Sequence, residues 1–578
     1  MTETERLARQ VAGLTFLGLA ALGVLAILGF YAERLTVPLP LFAADEAAYL
    51  LHALYPDPVV ARNPYVAGVV NGAHLSVIRA VFEAGLPLVV GDRIVNLTAY
   101  LAGLLALWWA SVKRTAVPVP GELGLALLLL AVGFPYYRFA ASNLAEGLFV
   151  GVFAALILVT RRWWRSRPLV HAALAGTLGA VLVLVKPNGV AELAALGAVG
   201  VLDALMAKED AAQDWRRLPV RIVVFALAFF TVGNLIQWQA DEPVAHAWSF
   251  FVGPIYGATI AATAPKGAAA LGALGVAAMT SASAVLAGAP AVVGLSDLWR
   301  RWRAAPKAAK GTRFEAEGGD LAFLLVLVSL LATIAMVGVF TMKVASTAGE
   351  TLRVWGRYFE FFAPMLWLTA APALARGLGG RTAAAAAAVT FAGLAGLLAC
   401  FRAGIVLFPW DASVLTAFFQ ADPVRAPLNF ALPLRALSIL AVLLAGAAYA
   451  ARLKPAFVGL ALTLALGGLS TWLDGAWDGP LVAQRAAFNR DMAAIRPRLL
   501  AESDVTVLSP DVNETHLAFL LLDARPHVVA GPPDQAPAAD LQGATAVIVS
   551  GPATPPGGPW TPAFRGEQLT LYQRAAQP

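Results

Sequence analysis

Residues 11–30 read VAGLTFLGLAALGVLAILGF, an uncharged run that follows Arg6 and Arg9. A helix rising about 1.5 Å per residue needs about 20 apolar residues to cross a hydrocarbon core of about 30 Å. A run of this length without an ionisable group is therefore a membrane span. It is long for the core of a signal peptide, and Leu35-Thr-Val-Pro-Leu-Pro after it offers no small-residue cleavage site, so it reads as a retained signal anchor.

The pattern recurs along the chain. Of its 578 residues 59% are hydrophobic and 13% charged, where a soluble domain carries about 25% charged. Mean hydropathy is +0.70. Apolar runs near 11–31, 93–112, 121–140, 143–160, 169–185, 189–206, 220–238, 270–295, 320–342, 358–375, 382–401, 432–450 and 455–473 predict an α-helical polytopic membrane protein of about thirteen transmembrane helices. Cys400, the single cysteine, lies in one of these runs, which excludes a disulfide framework and a thiolate metal site.

Charge then orients the spans. Lys113 and Arg114; Arg161, Arg162, Arg165 and Arg167; Lys208, Arg216 and Arg217; Arg300 to Arg313; Arg376 and Arg381; and Arg452 and Lys454 fall in alternate short connections. By the positive-inside rule these are cytoplasmic, and so is the N-terminus. The basic pI of 9.4 is thereby explained by topology, with no nucleic-acid partner. The other connections, 32–92, 239–269, 343–357 and 402–431, are long or poor in cations. An apolar stretch, Trp248 to Ala262, reads as interfacial or re-entrant, because counting it as a span would invert every later loop.

From Asp474 onward charges and prolines return. Residues 1–473 thus read as the transmembrane domain, whose outer loop 32–92 contains interfacial helices, and 474–578 as a small soluble extracytoplasmic α/β domain. Arg485 to Leu500 has amphipathic helical spacing, Asp504 to Pro510 is a strand entering a turn, and Glu514 to Leu522 is helical. His527 to Ala530 and Ala544 to Ser550 are strands, and Leu569 to Tyr572 is a final edge strand.

The outer loop opens with Asp45-Glu46-Ala-Ala-Tyr49-Leu-Leu-His52. If helical, it carries Asp45, Tyr49 and His52 on one face; equally, the two acids suit the positive end of an interfacial helix. His74 follows in the same loop, as either a structural or a ligand-binding side chain. Glu146 and Lys186 lie near outer ends of spans, where burial of a charge is costly without a partner, although Lys186 and Arg138 could also snorkel to the interface. Lys343, Glu350, Arg353, Arg357, Tyr358 and Glu360 form a last cluster. Its three cations oppose the local charge bias and ask for an anion, either a lipid phosphate or the neighbouring acids and headgroups. No HxxxH, HExxH or DxD spacing occurs. No cofactor is demanded, although carboxylates alone could hold a divalent cation, Mg or Mn.

Together these motifs resemble the GT-C superfamily of integral-membrane glycosyltransferases. Asp45-Glu46-x-x-Tyr49 is similar to the DE-x-x-Y start of its aminoarabinose-transferase and protein-mannosyltransferase branches. Ser142-x-x-x-Glu146-Gly-Leu-Phe is similar to its S-E-x-L-F element, Lys186-Pro-x-Gly189 to its K-P-x-G turn, and Gly356-Arg357-Tyr358 to its R-Y pair. The resemblance spans roughly residues 10–475. It implies a polyprenyl-phosphate-linked sugar donor, an envelope glycan, lipid or protein acceptor, and the bacterial cytoplasmic (inner) membrane, with the C-terminal domain periplasmic. It further implies Asp45 as general base, with Glu46, Tyr49, His52, His74, Glu146 and Lys186 binding sugar or acceptor. Lys343, Arg353, Arg357 and Tyr358, with Lys186, would meet the donor phosphate. A lipid-linked oligosaccharide flippase or transporter is the alternative, as is a ligase or polymerase moving a preassembled glycan. Against transport, the polar residues collect towards the outer face and no internal repeat is found.

Overall fold

The computed structural model describes residues 3–574 except 38, 42, 56–71, 116, 134, 164–167, 207–210, 240–267, 305–318, 346–351, 409, 420–455, 465–477, 500–503, 532, 534–535, 537–540, 552, 556–557 and 559. In chain order the helices are α1 (Glu3–Thr36), α2 (Ala43–Leu54), α3 (Gly72–Glu83), α4 (Leu88–Trp108), α5 (Gly121–Gly133), α6 (Glu146–Trp163), α7 (Pro168–Val185), α8 (Gly189–Met206) and α9 (Ala211–Gln239). They continue as α10 (Ala268–Ala304), α11 (Asp320–Ala345), α12 (Phe362–Thr369), α13 (Ala371–Ala375), α14 (Gly380–Arg402), α15 (Val414–Phe419), α16 (Gly479–Ile495) and α17 (Val512–Leu521).

Among the described residues seven helices, α1, α4, α7, α9, α10, α11 and α14, are long and apolar enough to cross a membrane, and α5, α6 and α8 are shorter apolar helices. The expected count of about thirteen is therefore not established. The run 432–450 lies outside the described residues, as does 455–473 apart from a helical piece at 456–464; the stretch from Trp248 to Ala262 also lies outside them. The run 358–375 is not one helix. It divides into α12 and α13 around Ala370, behind a 3-10 turn at Gly356–Tyr358. Pro372 removes a backbone N–H just where a continuous helix would need it. In the same way α5 stops at Gly133 and Pro135 opens a 3-10 segment, Pro135–Ala141, so the expected span to 140 is cut short.

By mutual contact the chain falls into two units. The first comprises Met1–Ala32, Thr98–Phe139 and Glu146–Leu473, and the second Glu33–Leu97, Ala140–Ala145 and Asp474–Pro578. In the first, α10 packs against α11 and α14, and α7 against α9. Leu14, Leu17 and Leu25 on α1 and Ile222, Val223 and Leu227 on α9 face outward. Such a surface is unfavourable in water and costs nothing against lipid tails.

In the second unit β1 (Val505–Ser509), β2 (His527–Ala530), β3 (Ala546–Ser550), β4 (Trp560–Arg565) and β5 (Leu569–Arg574) form one sheet. Its order is β2-β1-β3-β5-β4. β1 is parallel to β2 and β3, and β5 is antiparallel to β3 and β4. Val, Ile and Leu fill β1 and β3 because both faces are covered, as parallel strands require. Val505, Val507, Ile548 and Leu571 pack with Phe488, Met492 and Ile495 of α16 and Leu517 of α17. Leu508, Val547, Val549 and Tyr572 make the other face. Asp491 of α16 accepts the backbone N–H groups of Gln568, at 2.6 Å, and Leu569, at 2.9 Å, which fixes the start of β5.

The last strand is thus not the edge. The edge on that side of the sheet is β4, which the sequence reading missed because Pro562 and the prolines before it resemble a loop; proline is tolerated on an edge strand, where its missing N–H costs little. The second unit also joins two stretches far apart in sequence. Ala47, Ala48 and Leu51 of α2 share a core with Phe519 and Ala524 at the end of α17. The Tyr55 hydroxyl, just beyond α2, donates to Asp523 Oδ1 at 3.4 Å. Burial, and then the Asp523 carboxylate, raise the Tyr55 pKa above its ordinary value.

Candidate functional site

In the second unit the first turn of α2 carries Asp45 and Glu46, acids at the positive end of the helix. Their environments differ. Asp45 is partly exposed, whereas Glu46 is 0% exposed and its Oε1 accepts the backbone N–H of Asn143 at 2.6 Å. The Asn143 side-chain amide donates to Val89 O at 2.8 Å and to Asp92 Oδ2 at 3.0 Å. The second Asp92 oxygen, Oδ1, meets Asn96 Nδ2 at 3.3 Å and His74 Nε2 at 3.3 Å. A carboxylate only accepts, so the proton between His74 and Asp92 sits on Nε2. The His74 ring stands edge-on to Tyr49, with centroids 5.3 Å apart. Tyr49 is partly exposed and His52 is buried.

Arg93 follows Asp92 in the first turns of α4. It is 0% exposed and donates to the carbonyls of Arg34 at 3.1 Å, Val37 at 2.6 Å and Leu39 at 2.8 Å. It closes the C-terminal end of α1, where free carbonyls favour a cation. Arg34 is itself paired with Asp478.

In the first unit Glu146 opens α6 and pairs with Lys186 at the end of α7. Both are buried, and the Lys186 Nζ lies 4.6 Å from the centroid of the Tyr358 ring. The turn Lys186-Pro-Asn-Gly189 holds this geometry. A Cβ on Gly189 would sit 2.8 Å from the Val183 nitrogen, so only glycine lets α8 begin so close to α7.

Arg353 pairs with Asp411, Nε to Oδ2 at 3.1 Å, and its guanidinium lies 4.1 Å from the Trp355 ring centroid. Leu352–Val354 runs beside Val406, with Val354 N donating to Val406 O at 2.9 Å. Arg357 N donates to Asp411 O at 2.6 Å, and the Arg357 guanidinium lies 5.6 Å from the Tyr358 ring centroid. Glu360, 0% exposed, accepts the N–H groups of Ser413 at 2.6 Å and Leu415 at 3.2 Å, at the head of α15.

Thus the first unit brings Glu146, Lys186 and Tyr358 together and sets Arg353 and Arg357 on Asp411, while the second gathers Glu46, Tyr49 and His74. Lys343 lies in α11. Two of the cations expected to await an anion, Lys186 and Arg353, already have carboxylate partners. Sequence reasoning missed Asp92, Arg93, Asn96 and Asp411. Asp92-Arg93 at the mouth of an apolar run was a usable sign, since ionisable groups there need partners; nothing local marked Asp411. Glu192 was missed too. It is buried in α8 and accepts from the Thr333 hydroxyl at 3.1 Å. Among the described residues no group of three or more His, Cys, Asp or Glu side chains is assembled as metal ligands.

No protein-family model matches the chain, and no curated protein matches it in sequence. Among solved structures it is similar to ArnT from Cupriavidus metallidurans bound to undecaprenyl phosphate, with TM-score 0.53 and 16% identity over 97% of this chain and 98% of that one. The chain shares the fold of that protein. It is also similar to the Archaeoglobus fulgidus oligosaccharyltransferase in the apo form, with TM-score 0.42 and 10% identity over 93% of this chain and 69% of that one. For the archaeal oligosaccharyltransferase AglB from the same organism, in complex with an inhibitory peptide and a dolichol-phosphate, the TM-score is 0.43 and the identity 11% over the same 93% and 69%. The assignment of fold rests on the first of these.

Proposed function

We propose that the chain is an inverting glycosyltransferase of the bacterial cytoplasmic membrane, moving a sugar from a polyprenyl-phosphate carrier to an envelope glycan, lipid or protein acceptor. One observation carries this reading: over 97% of its length the chain follows the fold of a protein bound to undecaprenyl phosphate. The N-terminus is cytoplasmic and the C-terminal domain faces outward in this reading, as the basic connections require.

The chemistry asks for a base and for positive charge. The carboxylate of Asp45 takes the proton of the acceptor hydroxyl, whose oxygen bonds to the anomeric carbon. The bond from that carbon to the phosphate oxygen breaks on the opposite face, with inversion through an oxocarbenium-like transition state. The electron pair leaves with the lipid phosphate, a good leaving group that needs cations more than a general acid. Lys186, Arg353 and Arg357 supply that charge, with Lys343 and the Tyr358 hydroxyl assisting. An ammonium has three N–H donors and a guanidinium five, so pairing with one carboxylate does not exhaust either. Tyr49, partly exposed beside Asp45 on α2, and His52 orient the acceptor. Asp45 suits the role of base because it is the acid of its pair that solvent reaches.

The test supplies the purified protein with polyprenyl-phosphate monosaccharides and extracted envelope acceptors, and compares it with Asp45→Asn. The wild type transfers sugar, and the variant loses about 10²–10⁴-fold. Full turnover by Asp45→Asn removes Asp45 as the base, and absence of transfer from every monosaccharide donor moves the reading to a ligase or flippase.

A further inference from the structure

Glu46 and His74 are wholly enclosed, so neither reaches a sugar. Their contacts instead form one chain of polar groups that leaves α2 and returns to it. From Glu46 it runs to the Asn143 backbone at 2.6 Å, from the Asn143 amide to Asp92 at 3.0 Å, from Asp92 to His74 at 3.3 Å, and from the His74 ring to Tyr49 at 5.3 Å between centroids. Glu46 and Tyr49 are one helical turn apart, and Asp45 directly precedes Glu46 in the first turn of α2. Asp92 is the hub, because each of its oxygens accepts from a side-chain donor and it is 0% exposed. Removing the hub takes one acceptor each from the Asn143 amide, the Asn96 amide and the His74 N–H in a buried place, which forces the chain to rearrange.

We propose that Asp92, His74 and Asn143 are positioning residues that hold the first turn of α2, and with it the carboxylate of Asp45, in the geometry of proton transfer. This rests on the transferase reading above. None of the three touches substrate, so the role is read in turnover and not in binding. A base displaced by about 1 Å costs on the order of 10²-fold in rate.

The experiment measures kcat and the KM for both substrates in Asp92→Ala, His74→Phe, His74→Gln and the double variant Asp45→Asn with Asp92→Ala. Asp92→Ala lowers kcat at least about tenfold and leaves both KM values within about twofold, within ordinary context variation for a group that touches no substrate. His74→Gln, which keeps an N–H towards Asp92, recovers turnover relative to His74→Phe, which keeps only a ring. In the Asp45→Asn background Asp92→Ala has no further effect, since both act through one group. Wild-type kcat in Asp92→Ala, additive losses in the double variant, or KM values rising as kcat falls would each overturn the inference. If Asp92→Ala is not recovered from membranes, Asp92→Asn is judged by the same readouts. Full activity of Asp45→Asn alone instead defeats the assignment of the base, a separate failure.

Discussion

In the first turn of α2, Glu46 is sealed against the backbone N–H of Asn143 at 2.6 Å, while Asp45 beside it stays partly exposed. The two adjacent acids therefore respond oppositely to removal of charge. Glu46→Gln weakens a buried charge-assisted hydrogen bond and lowers stability by about 1–3 kcal/mol. Asp45→Asn leaves the melting temperature in detergent unchanged and loses transfer. Thermal unfolding of both variants beside the activity assay checks the contrast; equal destabilisation by both would refute it.

The pair between Glu146 and Lys186 is buried. Glu146→Ala strands an ammonium and costs about 3–5 kcal/mol, whereas Glu146→Leu combined with Lys186→Met recovers most of that loss. Recovery of stability is not recovery of activity, because the double variant lacks the charge for the donor phosphate. Denaturation midpoints and turnover of the same preparations separate the two effects.

Arg353 is held by Asp411 and stacked on Trp355. A lysine keeps the charge but loses the planar fork and the stacking. Arg353→Lys is expected to raise the KM for the polyprenyl-phosphate donor about tenfold, or ~1.4 kcal/mol. Arg357→Ala is expected to weaken donor binding in the same way, by about tenfold. Titration with polyprenyl phosphate measures both, and unchanged affinity in Arg357→Ala removes that residue from the phosphate site.

Gly356 lies so close to the next strand of chain that a Cβ would stand 2.6 Å from the Ala412 Cβ. Gly356→Ala must push the 352–360 segment away from Asp411, at a cost of about 1–3 kcal/mol. The same shift moves Arg353 and Arg357, so donor affinity falls along with the melting temperature. A variant that loses stability while binding donor normally would show that the segment is only structural.

Asp297 binds Arg301 at 2.9 Å and Arg376 at 2.5 Å, linking the end of α10 to the residue after α13. Arg301 also grips Asp320 at 2.6 Å, at the start of α11. Asp297→Ala is expected to lower stability by about 2 kcal/mol with kcat unchanged below the transition. A change in kcat would mean that this network reaches the chemistry. It also shows that several basic residues used to orient the chain are locally neutralised, which charge counting along the sequence does not reveal.

Much of the fold was legible in the sequence because hydropathy is a local property. A run such as Val11 to Phe30 needs no partner to declare itself, and the strands Val505–Ser509 and Ala546–Ser550 announce themselves by β-branched residues. Helix interruptions were less legible, as at Pro135 and Pro372, since apolar composition continues across the break. β4 was hidden by its proline. The candidate site was legible as residue types. Asp45, Glu146, Lys186 and Arg357 stood out because charged groups beside apolar runs need an explanation.

The sequence by itself determined a helical membrane chain with a small α/β domain at its C-terminus. It also supplied a short roster of ionisable residues, since burying apolar surface and exposing charge are decided residue by residue. Only the tertiary structure decided that α2 shares a core with α17, that Asp411 holds Arg353, and that Glu46 is enclosed while Asp45 is partly exposed. Those outcomes depend on which side chains from distant segments supply donors, acceptors and cover, and a hydrogen bond between residues 46 and 143 leaves no periodic trace in the chain.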